Sequence, residues 1–183
     1  MRFFFTLLYY SILILMVICF SQNSVDNNMI IEPTDSRQQI IIKAANVKPS
    51  KRQYDWQKYE LTGFIHFGIN TFEEVEWGHK GIDISKFNPL NIDVKQWVNV
   101  FKEAGFKLII LTAKHHDGFC LWPSRFTEND IANTPFKDGT GDIVRDLSNA
   151  CHEAGIKFGV YLSPWDMNEP SYGSNAYNTF FWC

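Results

Sequence analysis

Residues 93–114 read DVKQWVNVFKEAGFKLIILTAK, and residues 142–162 read DIVRDLSNACHEAGIKFGVYL. Both spell a capped amphipathic helix, a glycine stop and a continuous apolar strand. In the first, Val94, Trp97, Val98, Phe101 and Ala104 share one helical face. Asp93 stands at the N-cap, with Gln96 three residues on as in a capping box, and Gly105 ends the helix. The strand is Leu108–Ala113. In the second, Ile143, Val144, Leu147, Ala150, Cys151 and Ala154 form the stripe, Gly155 is the stop, and Phe158–Leu162 is the strand. The joint EAGFK at Glu103–Lys107 returns as EAGIK at Glu153–Lys157, 50 residues later.

Strands that do not alternate need apolar cover on both faces, so the sheet is expected to be parallel with helices against it. An earlier apolar run, Phe64–Ile69, supplies another strand. The connection after it, Asn70–Ile92, is long and rich in Trp, Glu and Gly. An open doubly wound sheet or a (β/α)8 barrel satisfies this pattern. No GxGxxG or GxxxxGK[ST] follows a strand, which disfavours the nucleotide-binding form.

Composition narrows the class. The 183 residues are 45% hydrophobic, with 16 Phe, 7 Tyr and 6 Trp, which excludes a disordered chain. A net charge of -3 gives no electrostatic footprint for nucleic acid. Residues 1–21 read as a secretory signal peptide: Arg2 starts an apolar run to Phe20, and Cys19 and Ser21 are small residues before a cleavage site. An uncleaved anchor is the rival, since the run is near the lower limit for spanning a bilayer. Either reading sends the chain into the secretory pathway, to the extracellular space or a lysosome or vacuole, and limits membrane contact to this segment. Residues 22–50, with Pro33 and Pro49, read as a leader or linker, with ordered structure starting near Trp56. Cleavage would leave Cys120, Cys151 and Cys183, an odd count. Cys120 and Cys151 lie in apolar segments and are expected to be buried. No CxxC or Cys/His zinc spacing and no N-x-[ST] sequon is present.

In parallel α/β folds, chemistry collects beyond the carboxyl ends of the strands. His66 stands in the first strand, Lys114-His115-His116-Asp117-Gly118 follows the second, and Ser163-Pro164-Trp165-Asp166 follows the third. Glu76-Trp77-Gly78-His79 lies in the long first connection. Four of the five histidines thus lie in segments aimed at one rim. Imidazole and carboxylate groups suit sugar hydroxyls, and Trp77 or Trp165 suits the apolar face of a sugar ring. A metal hydrolase is the rival, with His66, His115, His116 and Asp117 as ligands. The first strand, however, lacks the His-x-His of common barrel metal sites. A sugar-binding module without catalysis is a third reading. Ser163 lacks a nucleophile elbow. Asp117 reads as a turn residue before Gly118, and Asp166 as a cap or loop acid.

The sequence resembles the α-L-fucosidases of glycoside hydrolase family 29, and is similar to the subgroup acting on α1-3/4-linked fucose. The resemblance rests on PSKRQYDWQ (49–57), FIHFGINTF (64–72), EWG (76–78), FNP (87–89), LTAKHHDGFCLWPS (111–124), GDIV (141–144) and FGVYLSPWD (158–166). It implies a retaining exo-glycosidase on a (β/α)8 TIM-type barrel, acting on a fucosylated oligosaccharide or glycoprotein glycan, with no metal and no organic cofactor. Residues 51–183 would then be the N-terminal part of that barrel, about three βα units. By motif, His66, His115 and His116 correspond to the family's fucose-binding histidines. Glu76 and Trp77 match its sugar-contacting loop, and Tyr161 and Trp165 match positions after the third strand. The family's nucleophilic Asp and acid/base Glu lie on later strands, beyond Cys183. No catalytic carboxylate is therefore assigned, and this chain by itself is expected to be inactive. Three of about eight units cannot close a barrel, and the third strand would leave an apolar edge that favours aggregation.

Overall fold

A computed structural model describes residues 27–180. The signal-peptide reading and Cys183 lie outside the described residues. The chain divides after Lys58 into two compact units.

The first unit holds two helices, α1 (Arg37–Asn46) and α2 (Lys51–Gln57). Regular structure thus begins at Arg37, earlier than the expected start of order near Trp56. Both helices start in a reciprocal capping box, Ser36 with Gln39 and Ser50 with Gln53. The S-x-x-Q signature of a helix N-terminus was present in the sequence. No residue of either helix is buried, so no apolar stripe announced them.

The second unit is a three-stranded parallel sheet in the order β1-β2-β3, with β1 at Thr62–Ile65, β2 at Leu108–Lys114 and β3 at Lys157–Leu162. A short helix α3 (Asn70–Glu73) follows β1. Helix α4 (Val94–Glu103) leads to β2, α5 (Ile143–Ala154) leads to β3, and α6 (Asn175–Phe180) follows β3. Parallel pairing and both long helices match the sequence pattern. Asp93 and Asp142 are the N-caps, accepting from the N–H groups of Gln96 and Arg145.

The repeated pentapeptide builds the same joint twice. Phe106 N–H donates to Phe101 O at 3.0 Å, and Ile156 N–H to Cys151 O at 2.9 Å. Both close the helix end over a left-handed glycine, Gly105 at φ +88° and Gly155 at φ +73°. The next residue enters the sheet: Lys107 N–H donates to Leu61 O and Lys157 N–H to Lys107 O.

The first strand ends earlier than its apolar run suggests. It stops at Ile65, not Ile69. The Thr112 hydroxyl takes the place of the next ladder rungs: it accepts from Phe67 N–H at 3.1 Å and donates to Phe67 O at 2.8 Å. The chain turns out of the sheet there, and Ile69 is driven fully into the core.

Ile109 and Leu111 of β2 share one buried cluster with Val98 of α4 and Leu147 and Cys151 of α5. Each such aliphatic side chain contributes about 1.5–3 kcal/mol on burial. The long β1–α4 connection is pinned by Phe87, which is fully buried and has Phe72, Phe119 and Phe136 rings 5.0–5.8 Å away. Cys120 and Cys151 are free thiols and buried, as expected, and burial pushes them up to about 12 and about 11.

The two outer strands are less covered. Phe64 on β1 and Val160 and Leu162 on β3 are all at least half exposed. An apolar strand edge of this kind templates intermolecular pairing. Val160→Lys is therefore expected to lower concentration-dependent light scattering of the full chain while leaving its circular dichroism spectrum unchanged. Equal scattering would show that this edge does not drive association.

Candidate functional site

The site is assembled at the carboxyl rim of the sheet. Because β2 is paired on both sides, Lys114, His115 and His116 emerge together at its end. His66 leaves β1 next to them, and its ring lies 4.6 Å from that of His115. His115 and His116 rings are 4.2 Å apart. Tyr161 of β3 pairs in register with Thr112, and its ring lies 6.2 Å from that of His115.

Two indoles from different connections flank His116. Trp77 stacks on its imidazole at 5.1 Å and 25°, and Trp165 lies against it at 4.8 Å. The indoles are 6.0 Å apart and both are well exposed. Beside them a cleft of about 140 Å³ is lined by His66, His115, Glu76, Asn70 and Asp117, among others. Of the seven residues singled out in the sequence, His66, Glu76 and His115 line this cleft, His116 and Tyr161 lie against His115, and Trp77 and Trp165 lie against His116. His79 stands apart: it is exposed, and its Nδ1 lies 3.0 Å from the Lys80 carbonyl.

Several supporting residues were not legible as such. Asp117 is a turn residue, as the sequence suggested, with Oδ1 accepting from Phe119 N–H at 2.7 Å. It is also 3% exposed and accepts from Asn70 Nδ2 at 2.9 Å. Gly78, at φ +73°, lets the Trp77 loop press onto this pair, since a Cβ there would come within 2.8 Å of both Asn70 and Asp117 atoms. Asp166 is a loop acid, accepting from the N–H groups of Asn168 and Glu169, and it also pairs with Lys114 Nζ at 2.9 Å. That ion pair ties the end of β2 to the loop after β3. Gly118 allows the crossing, since a Cβ there would strike Asp166 Oδ1. Neither pairing partner lies near the other in sequence, so no local pattern could reveal them.

His115 favours the uncharged imidazole. Burial, then the neighbouring His116 and His66, push His115 down from 6.5 to about 4. Burial pushes the Asp117 carboxyl upward, against its hydrogen bonds from Phe119 and Asn70. Asn70 Oδ1 and His115 Nδ1 are buried without a hydrogen-bond partner among the described residues. His115 Nδ1 is 3.8 Å from Asp117 Oδ2, too far for a hydrogen bond. Among the described residues, no group of three or more His, Cys, Asp and Glu is placed to hold a metal ion.

The sign of the pH effect follows. Between the ordinary value of 6.5 and the folded value of about 4, the unfolded chain binds more protons at His115 than the folded chain. Stability therefore rises with pH across this window. The expected imidazole titration midpoint of His115 by NMR is near 4, and the urea midpoint should fall more steeply on acidification in the native chain than in His115→Asn. A midpoint near the ordinary value, or identical pH profiles, would contradict the described burial.

Comparison with known proteins gives the family. The family described as Alpha-L-fucosidase matches residues 32–181. Alpha-L-fucosidase 1 of Arabidopsis thaliana is 48% identical over 134 residues, covering 73% of this chain and 26% of that protein. A solved structure from Bacteroides ovatus is 51% identical with a TM-score of 0.78, covering 84% of this chain and 26% of that one. A Ruminococcus gnavus glycoside hydrolase family 29 fucosidase, solved in complex with fucose, is 46% identical with a TM-score of 0.63, covering 68% and 26%. This chain thus spans about a quarter of the length of the relatives it matches. The chain belongs to the alpha-L-fucosidase family.

Proposed function

We propose that this chain forms the sugar-recognition rim of a retaining α-L-fucosidase that removes terminal fucose from glycans. The observation that carries this reading is the clustering of three histidines and two exposed indoles at one strand-end rim, beside a cleft lined by His66, His115 and Glu76. A sugar ring offers hydroxyls around its edge and a flatter apolar face. His66, His115 and Glu76 are placed at the cleft to exchange hydrogen bonds with hydroxyls. Trp77 and Trp165 supply apolar surface beside His116. A neutral His115 accepts or donates one hydrogen bond without drawing in a counter-charge, which suits an uncharged ligand.

The chemistry of retention needs a nucleophilic carboxylate and an acid/base carboxyl about 5–5.5 Å apart. At this rim Asp117 is committed to Asn70 and Phe119, and Asp166 to Lys114. In this reading the reacting pair comes from later strands of a (β/α)8 barrel whose opening strands are β1 to β3. The rim described here binds and orients fucose, so the reacting carbon is held against that pair. A secretory route, with residues 1–21 as the signal peptide, would bring the enzyme to extracellular or lysosomal glycans.

Calorimetry tests the binding part. The full chain is expected to bind L-fucose and to leave an aryl α-L-fucoside uncleaved. His66→Ala should weaken binding by about tenfold or more, the loss of a positioned hydrogen bond. Turnover by this chain, or unchanged affinity in the variant, would overturn the assignment of roles.

A further inference from the structure

Ser163 and His116 are linked in a way that decides where an imidazole proton sits. Ser163 follows β3 directly and is 1% exposed. Its Oγ lies 2.7 Å from His116 Nδ1 and 2.7 Å from the carbonyl oxygen of Trp165. A serine hydroxyl has one proton, and a carbonyl oxygen only accepts. At 2.7 Å the Ser163 proton must lie on the line to Trp165 O. Turned toward His116 instead, it would leave the Ser163 and Trp165 oxygens 2.7 Å apart with no hydrogen between them, a repulsive contact of two lone pairs. With its proton committed, Ser163 Oγ meets His116 Nδ1 with lone pairs only. His116 Nδ1 is then the donor, and in the neutral ring Nε2 keeps a bare lone pair.

The surroundings hold the ring in that orientation. Trp77 and Trp165 press on it from their two connections. The backbone on either side is fixed as well: Met167 N–H donates to His116 O at 2.8 Å, and Ser163 N–H to Lys114 O at 3.0 Å. Turning the imidazole over would strip the buried Ser163 oxygen of its donor. His115 next door has no such partner at its own Nδ1. The two adjacent histidines are therefore unlike in their chemistry.

We infer that Ser163 is a positioning residue that locks His116 as the Nδ1–H tautomer, so that Nε2 accepts a hydrogen bond from a hydroxyl of the bound ligand. The tautomer stands on the geometry alone; only the identity of the ligand as fucose rests on the function proposed above. The lock makes the rim selective in direction. At His116 the ligand must offer a hydroxyl that donates, and an ether oxygen or a fluorine at that position would meet a lone pair.

Long-range proton–nitrogen NMR on the full chain labelled with 15N-histidine reads the tautomer directly. The spectrum is recorded at about pH 8, above the ordinary imidazole range. His116 is assigned by the signal lost in His116→Asn. A pyrrole-type Nδ1 with a pyridine-type Nε2 is expected, and a pyridine-type Nδ1 would overturn the lock. Ser163→Ala should mix the tautomers and weaken L-fucose binding about tenfold, and Ser163→Thr should restore both. Unchanged tautomer and affinity in Ser163→Ala would remove Ser163 from this role. If that variant does not fold, the native spectrum still decides. The expected tautomer without L-fucose binding would sink the fucose reading and leave the lock standing. L-fucose binding with a pyridine-type Nδ1 would do the reverse.

Discussion

Between Leu108 and Leu111 the central strand is paired on both edges, its Ile109 and Leu111 share a buried cluster with α4 and α5, and Thr112 and Ala113 beyond are buried as well. Polar side chains are costly inside such a strand and are released where it ends. The next residues, Lys114 to Asp117, emerge together at the sheet rim. Everything else at the site is arranged around this exit. Thr112 ends β1 early with its hydroxyl, which brings His66 beside His115. Lys114 reaches Asp166 and draws the loop after β3 across. Asp117 accepts from Asn70 and anchors the connection that carries Trp77. One buried strand thus gathers residues from three connections.

The rim is made of neutral, oriented groups rather than of strong charges. The buried Asp117 is already satisfied within the protein by Asn70 and the turn, and the partly buried Asp166 by Lys114. Burial and the neighbouring His116 and His66 rings disfavour protonation of His115. Such a surface has little to offer a phosphate or carboxylate. It suits a ligand whose polarity is carried by hydroxyls and whose remainder packs on indole.

Much of this was legible because it depends on local sequence. The helix stripes, Asp93 and Asp142 caps and glycine stops are written within a dozen residues, and the buried strands follow from their apolar runs. The strand-end rule then located His66, His115 and His116 without any contact being known. What escaped depends on distance along the chain. Nothing near Asn70 announces Asp117, and nothing near Lys114 announces Asp166. The end of β1 was misread because a threonine on another strand sets it. The helix at Arg37–Asn46 was missed for the opposite reason: its capping box is local, but no buried face accompanies it.

The proposed function requires this strand-end rim to receive a fucose ring. A crystal structure of the full chain grown with L-fucose tests it most directly. Sugar density is expected in the cleft, with hydroxyls within hydrogen-bond distance of His66 and His115 and an apolar ring face toward Trp77 or Trp165. Density for the sugar elsewhere, or an unliganded cleft at saturating L-fucose, would contradict it.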